Sequence, residues 1–139
     1  MAKLEFTESE RIKFNRMCAS KNALLSFHEN PDPDSIGSNL ALAHFLKNYT
    51  GTKVTVLWGT TGYVERFNYL LQEFPVLTTP ISAINPDEYD RLIIVDTANP
   101  LRSGLDPARI LAEWGEKVSI IDHHKGNNWN EITPQPNHF

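Results

Sequence analysis

From residue 28 the chain reads His28-Glu29-Asn30-Pro31-Asp32-Pro33-Asp34-Ser35-Ile36-Gly37-Ser38, which places an imidazole and two carboxylates within seven residues. Two further clusters follow the same plan. Asp96 comes directly after Leu92-Ile93-Ile94-Val95, and Asp122-His123-His124 after Val118-Ser119-Ile120-Ile121, just as His28 follows the apolar run Ala23 to Phe27. Two carboxylates one residue apart, held extended by Pro31 and Pro33, repel each other strongly unless a cation lies between them. Imidazole and carboxylate donors without cysteine suit Mn2+, Mg2+, Fe2+ or Zn2+, and their number suits two ions. Two such ions, roughly 3.5 to 4 Å apart, make hydroxide from a water between them and stabilise the charge that develops as a phosphate ester breaks. The chemistry expected is therefore hydrolysis at phosphorus. Gly37 and Ser38, at the start of the next helix, would let backbone N–H groups approach a phosphate oxygen.

The elements that must hold these residues are legible from hydrophobic spacing. Thr7-Glu8-Ser9-Glu10 has the capping-box pattern, with Phe6 set to staple against Arg11 or Ile12, and predicts a helix to about Lys21. A strand over Ala23 to His28 follows. Asp34 or Ser35 can then cap a helix with Ile36, Leu40, Ala43 and Leu46 on one face, ending before Gly51. Lys53 to Trp58 reads as a strand, Tyr63, Phe67, Leu70, Leu71 and Phe74 as a helical stripe stopped by Pro75, and Val76 to Thr78 as a short strand. Thr79 to Asp90 is a proline-bearing connection, Arg91 to Asp96 an interior strand, Pro107 to Trp114 a helix closed by Gly115, and Lys117 to Asp122 the last strand. Strands alternating with helices predict an α/β domain with a mainly parallel, Rossmann-like sheet and helices on both faces. In such sheets ligands bind beyond the carboxyl ends of the strands, where all three clusters fall.

Composition agrees with one packed domain. The 139 residues are 40% hydrophobic and 22% charged, far from the signature of disorder. A net charge of -4 and a pI near 5.7 argue against long duplex nucleic acid as a partner, and metal ions would supply the local cation for a phosphate. Cys18, the single cysteine, is expected to pack rather than react. No apolar run reaches the length of a membrane span or a signal-peptide core, so the expected partners include no membrane and the expected location is cytoplasmic. His44 falls on the solvent side of its helix and His138 in the tail, while Trp58, Trp114 and Trp129 stay outside the site.

At these residues the chain resembles the DHH phosphoesterase superfamily, which includes RecJ-like exonucleases, oligoribonuclease or nanoRNase-type enzymes, cyclic-di-AMP phosphodiesterases and family II inorganic pyrophosphatases. His28-x-Asn30-Pro31-Asp32-x-Asp34-x-Ile36-Gly37-Ser38 is similar to the first motif of that family, Val95-Asp96 to the second, and Asp122-His123-His124 to the motif that names it. The resemblance implies two Mn2+ ions, with Mg2+ or another divalent ion as a substitute. His28, Asp32 and Asp96 would hold one ion, and Asp34, Asp96 and His123 the other, with Asp96 bridging. His124 would face the substrate phosphate, and Asp122 would order the histidines and their loop. Arg102-x-Gly104 resembles the oligoribonuclease-type branch, where the guanidinium meets a phosphate. The implied substrates are short oligonucleotides or small nucleotides such as 3′-phosphoadenosine 5′-phosphate.

The chain departs from the family pattern after Asp122. The family supplies a further acidic ligand downstream, whereas Glu131 is the only carboxylate side chain left here, within a tail from Asn127 to Phe139 that has no periodicity. The 139 residues therefore read as the N-terminal portion of a DHH catalytic domain, incomplete at the C-terminus and without the substrate-binding domain of the family; a homodimer is compatible with the full-length protein. Two alternatives stay open. One is hydrolysis of pyrophosphate or polyphosphate by the same residues, and the other is a catalytically incompetent fragment that binds a metal or nucleotide.

Overall fold

The Thr7-Glu10 pair closes the capping box that its spacing predicts: the Thr7 hydroxyl accepts from the Glu10 N–H at 3.2 Å, and the Glu10 carboxylate accepts from the Thr7 N–H at 2.7 Å. The computed structural model describes residues 5, 7–26, 31–58, 64–97, 99, 105 and 107–122; the readings that involve Phe6, Phe27, His28, Tyr63, Arg102, His123, His124 and the tail lie outside them. Helix α1 (Glu8–Cys18) stops at Ala19, short of Lys21. Asp90 supplies the reason, because its carboxylate accepts from the N–H groups of Lys21 and Asn22 at 2.8 and 3.0 Å and draws them into the strand.

Strand β1 (Asn22–Ser26) leads into α2 (Pro33–Phe45), whose last turn widens into a π-helical turn, Leu46–Thr50. Gly51 ends it with φ 70°, a left-handed conformation that suits glycine. β2 (Lys53–Leu57) follows. The stripe around Phe67 begins as a 3-10 turn, Val64–Phe67, and continues as the short helix α3 (Asn68–Glu73), so it is less regular than its spacing predicts. β3 (Leu77–Thr79), two 3-10 turns, β4 (Arg91–Val95), α4 (Pro107–Trp114), a further 3-10 turn, Gly115–Lys117, and β5 (Val118–Ile121) complete the order among the described residues.

The five strands form one parallel sheet in the order β3-β2-β1-β4-β5. The chain builds outward from β1 in one direction to β3 and then returns to lay β4 on the other side of β1. The β1/β4 boundary is therefore a topological switch point, where the crossovers diverge and leave a crevice at the carboxyl ends.

Alternation along the strands divides the core between the two faces. Leu25, Val56, Ile93 and Val95 pack with Met17 of α1 and Ile36, Leu40 and Ala43 of α2. Leu24, Leu92, Ile94, Val118 and Ile120 pack on the opposite face with Ile110 and Trp114 of α4. Helices on both faces of a parallel sheet are what the strand and helix pattern predicts. Cys18 lies partly buried against the first cluster, and that burial raises its thiol pKa, as expected of a packing residue. Among the described residues no helix is long and apolar enough to cross a membrane.

Candidate metal centre

Asp32 is the residue that caps α2. Its carboxylate oxygen Oδ1 accepts from the Ser35 N–H at 2.8 Å, with Pro33 at the first helical position. The cap thus falls earlier than the Asp34 or Ser35 expected from sequence, because Pro33 has a preset φ and no N–H to lose there. Asp34 lies in the first turn, with the Ser38 hydroxyl 3.5 Å from its Oδ1. Two carboxylates thereby sit at the positive end of the helix dipole. Gly37 and Ser38 stand in the second turn. A Cβ at Gly37 would meet nothing within 4 Å, so this side of the helix is open.

Asp96 closes β4 with φ 59°, the only non-glycine positive φ among the described residues. It is 5% exposed, and its N–H donates to the Ile121 carbonyl at 2.8 Å, extending the β4–β5 ladder one residue past β4. That bond ties Asp96 to the residue before Asp122. On its other side β4 pairs with β1, Ser26 standing opposite Ile94. Neighbouring strands lie roughly 4.8 Å apart. The ends of β1, β4 and β5 are therefore adjacent, and the segments that carry Asp32 with Asp34, Asp96 and Asp122 all leave the same edge of the sheet.

The structure thus brings four of the sequence-predicted residues to one edge. His28, Arg102, His123 and His124 lie outside the described residues, and among the described residues no three His, Cys, Asp or Glu side chains form a group able to hold a metal. The donors in place are hard carboxylate oxygens at the switch point, the kind that Mn2+ and Mg2+ accept. On that chemistry the residues fit a divalent ion.

Two features escaped sequence reading. Ser35 and Asn39 are fully buried on α2, with Ser35 Oγ and Asn39 Oδ1 lacking hydrogen-bond partners, while Asn39 Nδ2 donates to the Ser35 carbonyl at 2.9 Å. Their i, i+4 spacing beside the Ile36-Leu40-Ala43 stripe was the available signal. His44 corrects an expectation in part: it is half-buried, meeting the Phe74 ring edge-on with centroids 5.9 Å apart, and its Nε2 is buried without a partner. Gly37, Ala41 and His44 recur at helical spacing on a second side of α2, and that side faces Leu70 and Phe74 across a groove.

With this geometry in place, comparison with known proteins defines the class. The model of the DHH family, N-terminal domain, matches residues 22–138, and the chain belongs to this family. Curated relatives carry the name "Probable manganese-dependent inorganic pyrophosphatase". That of Streptococcus mutans is 25% identical over 107 residues, 77% of this chain and 33% of the relative. That of Lactobacillus gasseri is 26% identical over 113 residues, 80% of this chain and 33% of the relative, and that of Streptococcus agalactiae 27% over 108 residues, 77% and 33%. The chain spans about a third of the length of the curated relatives it matches.

Proposed function

We propose that the protein is a metal-dependent phosphoesterase that hydrolyses short oligonucleotides or small phosphorylated nucleotides, with Mn2+ as the natural ion. The observation that carries this reading is the arrival of Asp32, Asp34, Asp96 and Asp122 at one carboxyl edge of the sheet, in a chain of the DHH family. His28, Asp32, Asp34, Asp96 and His123 would hold the ions, which when bound supply a nucleophile at neutral pH and offset charge on the phosphoryl oxygens. The chain's own residues do the rest. Asp122 orders the histidine loop, while His124 and Arg102, with the second turn of α2 at Gly37 and Ser38, orient the phosphate. The names of the relatives support a second reading, hydrolysis of pyrophosphate, which uses the same ligands. The length of those relatives supports reading this chain as the N-terminal portion of a catalytic domain, to which a substrate-binding domain and a homodimer contact would be added.

The test is Mn2+-dependent turnover of a dinucleotide and of 3′-phosphoadenosine 5′-phosphate, set against pyrophosphate. Hydrolysis of the nucleotides, lost in Asp96→Ala, is the expected result. Turnover of pyrophosphate alone would move the assignment to the second reading. Near one equivalent of Mn2+ bound with no turnover of any substrate would mark the chain as a binding fragment.

A further inference from the structure

Strands β1 and β2 end level with each other: Leu25 stands opposite Val56, so Ser26 and Leu57, the last residues of the two strands, are neighbours. The chain that leaves β2 therefore starts from the same carboxyl edge as the chain that leaves β1 and carries Asp32 and Asp34. It enters α3 through the 3-10 turn Val64–Phe67, and that turn holds an arginine, Arg66. We propose that Arg66 is a specificity-determining residue that holds a second, uncleaved phosphate group of the substrate. The inference rests on the phosphoesterase reading above and adds to it a preference for substrates with two phosphates.

Location comes first. Helices α2 and α3 each follow a strand of the parallel sheet and run back from its carboxyl edge, and Gly37 of one and Leu70 of the other line a common groove. About one turn earlier stand Asp34 on α2 and Arg66 ahead of α3, with Asp34 on the same side of its helix as Gly37 by i, i+3 spacing. Second, the arginine is preset. Its guanidinium lies over the Phe67 ring, 5.4 Å from the centroid, and Phe67 is 8% exposed within the core cluster that contains Ile36 and Leu40. Trp58, one residue past β2, braces the same segment: its N–H donates to the Thr79 carbonyl at 2.9 Å, and its Nε1 donates to Asn68 Oδ1 at 2.8 Å. Arg66 itself is exposed. Stacking engages the face of a guanidinium, whereas its N–H donors lie in the plane and match phosphate oxygens two at a time. Third, the charge is complementary. Ions held by the carboxylates would meet the phosphoryl group that is cleaved. A second phosphate outside those ions faces an acidic edge, and a cation on the neighbouring turn offsets that repulsion.

The test is an NMR titration of the 139-residue chain, with Mg2+ in place of Mn2+, using 3′-phosphoadenosine 5′-phosphate, pyrophosphate and adenosine 5′-phosphate in turn. The two-phosphate nucleotide is expected to shift the Arg66 Nε–H signal saturably. Arg66→Gln weakens it about 10-fold, the contribution of one charged hydrogen-bonding group, and Arg66→Lys weakens it less, because the ammonium keeps the charge and loses the fork. Adenosine 5′-phosphate, with a single phosphate, binds the native chain and both variants alike. A comparable loss for pyrophosphate would support the contact and name pyrophosphate as the source of the second phosphate. Arg109→Gln removes the same charge from α4, on the opposite face of the sheet, and leaves these affinities unchanged. An unchanged affinity in Arg66→Gln, an equal loss in Arg109→Gln or for adenosine 5′-phosphate, or no binding of either two-phosphate ligand would overturn the proposal. Turnover of a dinucleotide with Mn2+ reads the phosphoesterase assignment separately. Binding that depends on Arg66 without any hydrolysis would keep the contact and refute that assignment, and hydrolysis with an affinity indifferent to Arg66 would do the opposite.

Discussion

Asp96 combines a bent backbone with a proposed ligand role, and a pair of substitutions separates them. Its φ of 59° places it in the left-handed region, which costs a residue with a Cβ roughly 1 to 2 kcal/mol and costs glycine almost nothing. Asp96→Ala and Asp96→Gly both delete the carboxylate, so whatever that side chain contributes cancels between them. What remains is the bend. Glycine loses more chain entropy on folding, by about 0.5 to 1 kcal/mol, which leaves Asp96→Gly more stable than Asp96→Ala by about 1 kcal/mol. At an ordinary strand end the order is reversed. For a chain of this size the gap corresponds to about 4 °C in Tm, resolvable by circular dichroism melts without metal. Both variants lose Mn2+ affinity equally. An alanine variant as stable as the glycine variant would refute the claim that the backbone at Asp96 is bent at a cost in order to aim its carboxylate.

Asp32 combines a cap with a proposed ligand. Asp32→Ala is expected to cost about 1 kcal/mol of stability, while Asp32→Asn, which caps equally well, leaves stability within a few tenths of a kcal/mol; both reduce Mn2+ binding, and thermal melts with a Mn2+ titration read the two effects. Hydrogen bonds from the Thr7 N–H and then the Thr7 hydroxyl hold the Glu10 carboxyl below its ordinary value of 4.5. A lowered folded pKa means stabilisation that is complete above that ordinary value and disappears as pH falls through the folded one, so the first turn of α1 loosens in acid. The Thr7 and Glu10 amide signals should follow this titration in the native chain and lose it in Glu10→Gln; identical profiles would contradict the cap.

The fold was largely legible because strand and helix signals are local. The apolar runs Leu92 to Val95 and Val118 to Ile121 carry no helical spacing, and Pro107 with Gly115 brackets α4 as end signals do. Strand order was not legible, since nothing within β1 or β4 names its neighbour; the order emerges from which faces the connecting helices must cover. For the site, sequence identified which residues carry donors, and topology supplied their common edge. Local chemistry misled twice. The helix cap falls at Asp32 because Pro33 starts a helix better than it sits inside one, and the spacing puts His44 on the solvent side because a single apolar stripe implies a single packed side. Phe74, at the end of the short helix α3, meets His44 on a second side of α2, and the weak pattern of α3 gave little warning. The bend at Asp96 leaves no mark in sequence, because aspartate is common in every backbone region a loop visits.

The central claim is that three separate segments serve one cation site, and paramagnetic broadening by Mn2+ tests it most directly. At stoichiometric Mn2+, amide signals around Asp32 and Asp34, at Asp96 and at Asp122 should broaden together and recover together in Asp96→Ala. Broadening confined to one of these segments, or an unchanged Mn2+ affinity in Asp96→Ala, would contradict the account.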